Sequence, residues 1–99
     1  MIVVRNIFRL KYGQARPAIA WWKEGRALMK RINPNAAPRL MTDVVGPSYT
    51  LVLEDSYDNL AAFERAAPSV MGNDEWQAWY QRFQPLVDSG SREIYNVVE

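Results

Sequence analysis

The sequence predicts an α+β domain with the element order β-α-β-β-α-β. Three observations carry that reading. Runs rich in β-branched and aromatic residues alternate between two faces near the start, in the middle and at the end of the chain. Between these runs the apolar spacing lengthens to every third or fourth residue, the period of a helix. Gly and Pro fall at the changeovers.

The first run, IVVRNIFRLKYG, starts at Ile2 and stops at Gly13. Read as a strand, it puts Ile2, Val4, Asn6, Phe8 and Leu10 on one face and Val3, Arg5, Ile7, Arg9 and Lys11 on the other. From Gln14 the period changes, and Pro17 suits the first turn of a helix. Ile19, Trp22, Leu28, Met29 and Ile32 recur at helical spacing, with Trp21 and Gly25 beside them. This helix is expected to end near Asn33, because Pro34 cannot continue it and disfavours a helical residue before it. The rings of Trp21 and Trp22 diverge by about 100°, so one of them is expected to face a partner chain or solvent.

PRLMTDVVGPSYTLVLEDSY reads as two strands joined at Gly46-Pro47, the second alternating Tyr49, Leu51 and Leu53 against Thr50, Val52 and Glu54. Asp58 is expected to cap the helix NLAAFERAAPSV, which carries Leu60, Phe63 and Ala67 on one face and is interrupted by Pro68 and Gly72. Asn73 or Asp74 then caps a second helical piece running to about Val87. Its Trp76, Trp79, Tyr80, Phe83 and Val87 follow i, i+3, i+4, i+7 and i+11, the stripe of a helix packing on a sheet. Gly90 marks the exit, and SREIYNVV is the last strand. Residues 1–99 thus form a single domain in the ferredoxin-like arrangement, an antiparallel sheet with its helices on one face.

Composition narrows the function. Twelve Lys and Arg oppose eleven Asp and Glu for a net charge of +1, with no block of like charge, which argues against nucleic-acid and membrane partners. There is no Cys, hence no thiol nucleophile, thiolate metal site or disulfide. There is no His either, which removes the commonest general base, transition-metal ligand and haem ligand together, so no metal and no cofactor is expected. The start MIVVRNIFRL lacks the features of a signal peptide, and no apolar run approaches the roughly 20 residues of a membrane span. A cytoplasmic location is expected.

A sheet covered on one side needs only one apolar face. Here the second strand face mixes Ile7, Val52, Met41 and Val45 with the charges of Arg5, Arg9, Asp43 and Glu54. Asp43 and Glu54, among Arg5, Arg9 and Arg39, are expected to be paired ions rather than general bases, since pairing lowers a carboxylate pKa. Such a face suits contact with its twin, and a homodimer is expected, with Arg–carboxylate pairs fixing the register.

Three stretches, FRLKYGQ, GPSYTLVLEDSYDNLAAFERA and NDEWQAWYQRFQPLV, span most of the chain. In them the sequence resembles the NIPSNAP-like branch of the dimeric α/β-barrel superfamily. The resemblance implies a dimer whose two sheets close into a barrel. It implies no single chemistry, because the superfamily includes cofactor-free oxygenases, cyclases, decarboxylating enzymes and haem-degrading enzymes. The haem-degrading relatives combine an Asn at a strand position comparable to Asn6 with a Trp and an axial His, and this chain has no His.

Within that frame the expected ligand-binding residues are Asn6, Phe8, Trp22, Trp76, Trp79, Tyr80 and Phe83, and no catalytic residue stands out. Asn6 is a polar residue on an apolar strand face, and a buried amide left without partners costs about 1–3 kcal/mol. Either it bonds a helix end or an internal water, or it orients a ligand carbonyl or hydroxyl. The rings are either plain core or a pocket whose polar tips meet a ligand. Tyr12, Tyr49, Tyr57 and Tyr95 give no constellation. Two functions stay open: a binder of a small apolar or aromatic molecule, with cofactor-free oxygenase, cyclase or isomerase chemistry, and a non-catalytic structural or interaction homodimer. A void of a few hundred Å³ near Asn6 separates them.

Overall fold

Eight elements follow one another in the computed structural model, which describes residues 1–99: β1 (Ile2–Leu10), α1 (Ala15–Ile32), β2 (Arg39–Thr42), β3 (Thr50–Tyr57), α2 (Leu60–Met71), α3 (Asp74–Phe83), a 3₁₀ turn (Gln84–Leu86) and β4 (Val87–Asn96). The strands form one antiparallel sheet in the order β2-β3-β1-β4. This is the ferredoxin-like α+β fold, with the second helical segment split in two. No helix is long and apolar enough to cross a membrane.

Register decides which side chains meet. Across β1, Phe8 lies between Leu51 and Gly90, Asn6 between Leu53 and Arg92, Val4 between Asp55 and Ile94, and Ile2 between Tyr57 and Asn96. All of these point to the helix-covered face, since directly paired residues share a side. Gly90 therefore sits inside β4 rather than marking its start, and the strand begins three residues earlier at Val87. A Cβ at Gly90 would make an ordinary van der Waals contact with Cδ1 of Phe8, at 3.4 Å, so the Phe8 ring lies beside this position.

α1 ends as expected, with Asn33 as its C-cap. α2 is capped by Asn59, whose side chain accepts from the Ala62 N–H at 2.8 Å, not by Asp58. Pro68 does not interrupt α2. It sits on the exposed side, and the helix continues to Met71. α2 buries no residue, and Leu60 is exposed rather than part of a core face. Asn73 caps α3, accepting from the Trp76 N–H at 2.9 Å.

The core lies between the inner sheet face, α1 and α3. Trp22 is its centre, with ring centroids of Trp79, Phe83, Phe8 and Trp76 at 4.6, 5.4, 5.6 and 5.8 Å. Trp22 is buried, and Trp21 is the ring of the pair that stays partly exposed. It stacks on Trp79, and the two exchange hydrogen bonds: Trp21 Nε1 donates to the Trp79 carbonyl at 3.1 Å and Trp79 Nε1 to the Trp21 carbonyl at 3.2 Å. The half-buried Trp21 ring also lies under Arg82, at 4.9 Å. α1 and α3 approach this closely because position 25 is glycine, where a Cβ would overlap the Trp79 ring.

On the uncovered sheet face, Glu54 is 7% exposed, held by Arg5 Nε at 2.8 Å and an Arg39 guanidinium nitrogen at 2.5 Å. Arg5 also lies over the Tyr95 ring, whose hydroxyl donates to Glu93, so polar contacts link all four strands. Ile7, Val52 and Met41 are half-buried on this face. Two expectations fail here. Asp43 pairs with no arginine; its carboxylate accepts from the Thr50 N–H at 2.8 Å and ties off the loop at residues 43–49. Val45 lies in that loop, 94% exposed, because β2 ends at Thr42.

Candidate functional site

A cavity of about 400 Å³ lies beside Asn6, between the inner sheet face and the helices. Val4, Asn6, Phe8 and Leu53 form its floor, Trp22 and Met29 of α1 and Trp76 and Tyr80 of α3 its walls, and Phe63, Ala67 and Val70 of α2 its cover. Fourteen of its 21 lining residues are hydrophobic, so a ligand there would shed water along most of its surface.

Of the residues singled out from the sequence, Asn6, Phe8, Trp22, Trp76 and Tyr80 line this cavity. Trp79 and Phe83 do not. Phe83 is fully buried, and the Trp79 indole N–H ends on the Trp21 carbonyl, so both act as packing behind the wall. The Trp22 indole nitrogen, by contrast, is buried with no hydrogen-bond partner.

Within the chain, Asn6 is met by a guanidinium rather than by a helix end. Arg92 Nε, from the residue opposite on β4, donates to Asn6 Oδ1 at 2.8 Å. Because a guanidinium only donates, the amide oxygen must face it, and the amide NH₂ turns the other way. Arg92 also lies over the Phe63 ring at 5.4 Å, joining β4 to α2 across the cavity rim.

Asp55, Tyr57 and Arg92 line the cavity without having been singled out from the sequence. Two of them were within reach: the alternation Leu51, Leu53 simply continues to Asp55 and Tyr57 on the same inner face. Tyr57 thus belongs to a constellation after all. Arg92 required the β1–β4 register. Asp55 Oδ1 accepts from the Ser56 N–H at 2.8 Å, while Oδ2 is buried without a partner. Burial raises the Asp55 pKa, against the opposing pull of the Ser56 and Ala37 N–H groups. Burial likewise raises Tyr57, helped by the Asp55 charge and opposed by Arg92. It raises Tyr80, again opposed by Arg92. On the opposite face, hydrogen bonds from Arg39 and Arg5 lower the Glu54 pKa, which makes it an ion-pair carboxylate as expected. No cluster of three or more acidic side chains forms a metal-binding group.

No protein-family model matches the sequence, and neither does any curated protein. Solved structures do match. A NIPSNAP family protein from Agrobacterium tumefaciens superposes with a TM-score of 0.87 at 21% identity, covering 99% of this chain and 86% of that one. A NIPSNAP domain protein from Burkholderia xenovorans gives 0.87 at 17% identity over 99% and 95% of the two chains. An antibiotic biosynthesis monooxygenase gives 0.74 at 14% identity over the full length of both. The architecture built above from register, caps and aromatic packing is therefore the fold of NIPSNAP family proteins, shared more distantly with antibiotic biosynthesis monooxygenases.

Proposed function

We propose that this protein binds a small apolar or aromatic molecule in the cavity between sheet and helices. The observation that carries the reading is the cavity itself: about 400 Å³ of mostly apolar space at Asn6, within the range of small-molecule sites. A chain of this size has little stability to spare, and a void it could have filled with side chains is costly. Polar residues are the minority of the lining, and Asn6, Asp55 and Arg92 lie on the sheet side, where such groups can orient a ligand. With its oxygen held by Arg92, the Asn6 amide keeps its NH₂ free, and that group would donate to a ligand carbonyl or hydroxyl.

Chemistry in such a site would work by shape, orientation and hydrogen bonding, as in cofactor-free oxygenation or isomerisation. The fold shared with an antibiotic biosynthesis monooxygenase supports the first of these by analogy. Native mass spectrometry together with thermal stabilisation by a library of aromatic compounds tests the reading. A bound small molecule, or a saturable rise in melting temperature that is lost when Ala67→Trp fills the cavity, is expected. A bare chain that no compound stabilises would sink it.

A second reading concerns assembly. We propose that the uncovered sheet face meets its twin in a homodimer. Half-buried Ile7, Val52 and Met41 beside the Arg5–Glu54–Arg39 array support this, since that face is too apolar to serve only water. A solution mass of one chain at micromolar concentration would refute it.

A further inference from the structure

Charged side chains are scarce in the cavity: among the residues that line it, Arg92 is the sole cation and Asp55 the sole acid. They are not partners. Arg92 stands on β4 and Asp55 on β3, with β1 between them, which sets their backbones roughly 10 Å apart. Arg5, Arg31 and Arg39 each hold a carboxylate within the chain, and Arg92 holds none. Its sequence neighbour Glu93 points to the opposite face and accepts from Tyr95.

The guanidinium is nonetheless fixed in place. Nε is committed to Asn6 Oδ1, and the Phe63 ring lies against Cζ. What remains is the pair of terminal NH₂ groups, a planar fork whose spacing matches the two oxygens of a carboxylate. This fork sits at the rim of an apolar chamber, with its side chain exposed enough to meet an incoming anion.

We propose that Arg92 is a carboxylate-binding residue and that the ligand is an apolar molecule carrying one carboxylate. Its body occupies the chamber, and its head group stays at the rim on the Arg92 fork. Asp55 sets the direction. An anionic head reaching the β3 side would meet a carboxyl group with no cation beside it, so the molecule enters with its apolar end first. Asn6 acts as a positioning residue, holding Nε so that the fork faces the chamber. This inference rests on the cavity reading above and adds the chemical class of the ligand.

A matched pair of probes tests it. 2-Naphthoate and its methyl ester share one apolar body and differ in charge, and both are titrated calorimetrically into the intact protein at pH 7. The acid is expected to bind at least tenfold more tightly than the ester, and added salt should narrow the gap. Arg92→Gln should abolish the preference, weakening the acid by at least tenfold more than the ester. Arg92→Lys should restore part of it, since it returns the charge without the fork. Arg82→Gln, an equal change in net charge outside the cavity, should leave it intact. Equal affinity for acid and ester in the wild-type protein overturns this inference and leaves the cavity reading standing, and it needs no variant to fold. A preference that survives Arg92→Gln also overturns it. Binding of neither probe overturns both.

Discussion

Replacing Gly25 by Ala isolates the close approach of α1 and α3. In an exposed helix this substitution stabilises by about 0.5–1 kcal/mol, because alanine restricts the unfolded chain and favours the helix. Here the added methyl would overlap the six-membered part of the Trp79 ring, which must move. Moving it breaks the hydrogen bond that Trp79 Nε1 donates to the Trp21 carbonyl, at roughly 1 kcal/mol. It also breaks the parallel stack with Trp21, worth about 0.5–1.5 kcal/mol. Setting the helix gain against these losses leaves the variant about 1 kcal/mol less stable. For a chain of 99 residues that is a fall of roughly 5 °C in melting temperature. Urea and thermal unfolding followed by circular dichroism measure it, with the near-ultraviolet signal reporting the tryptophan pair. A Gly25→Ala protein as stable as the parent, with its near-ultraviolet spectrum unchanged, would refute the reasoning.

Three further outcomes are expected. Burial raises the Asp55 pKa, so its contribution to stability is complete below the unfolded pKa and is lost as pH rises through the folded value; Asp55→Asn should therefore match the parent in acid and exceed it at neutral pH, as paired denaturation curves across pH will show. Glu54 titrates in the opposite sense: its pKa is lowered by Arg39 and Arg5, so its stabilisation holds above the usual carboxylate range and disappears on acidification. Glu54→Gln should cost about 1–2 kcal/mol at neutral pH, between the values for exposed and buried pairs, and the loss should shrink in high salt. Removing a cap with Asn73→Ala should lower global stability by about 1 kcal/mol, whereas Asn59→Ala should show itself as faster amide exchange confined to α2.

The fold was legible because its signals are periodic. Alternation in β1 and β3, the stripe of α3 from Trp76 to Phe83 and the Pro34 stop of α1 each follow from local geometry and are realised, but the stripe does not extend to Val87: α3 ends at Phe83, Gln84–Leu86 form a 3₁₀ turn around Pro85, and Val87 opens β4. Boundaries were less legible where local rules compete. Asn59 rather than Asp58 caps α2, Pro68 is tolerated on an exposed side, and Gly90 lies inside β4 opposite Phe8 rather than at a turn. The candidate site was half visible. Asn6 and Phe8 announce themselves on β1, but the partner of Asn6 lies 86 positions away, and only strand register brings Arg92 to it. Asp55 and Tyr57 continue the inner side of β3, whereas Glu54 between Leu53 and Asp55 points the other way, and only the fold gathers them with Arg92 around one cavity.

α2 has a consequence of its own. It covers the chamber with Phe63, Ala67 and Val70, yet none of its twelve residues is buried. A helix gains most of its stability from the face it docks, and this one reaches the sheet through Phe63, edge-on to the Tyr57 ring and under Arg92, with the chamber beneath the rest. Among the three α-helices it alone buries no residue, a hatch over the chamber with the Asn59 cap at one end and Gly72 at the other. Loading the chamber would give those side chains something to rest on, so occupancy and closure would be one equilibrium. Substitutions on the outer side of α2, touching no ligand, should then alter residence time by changing how readily the hatch lifts.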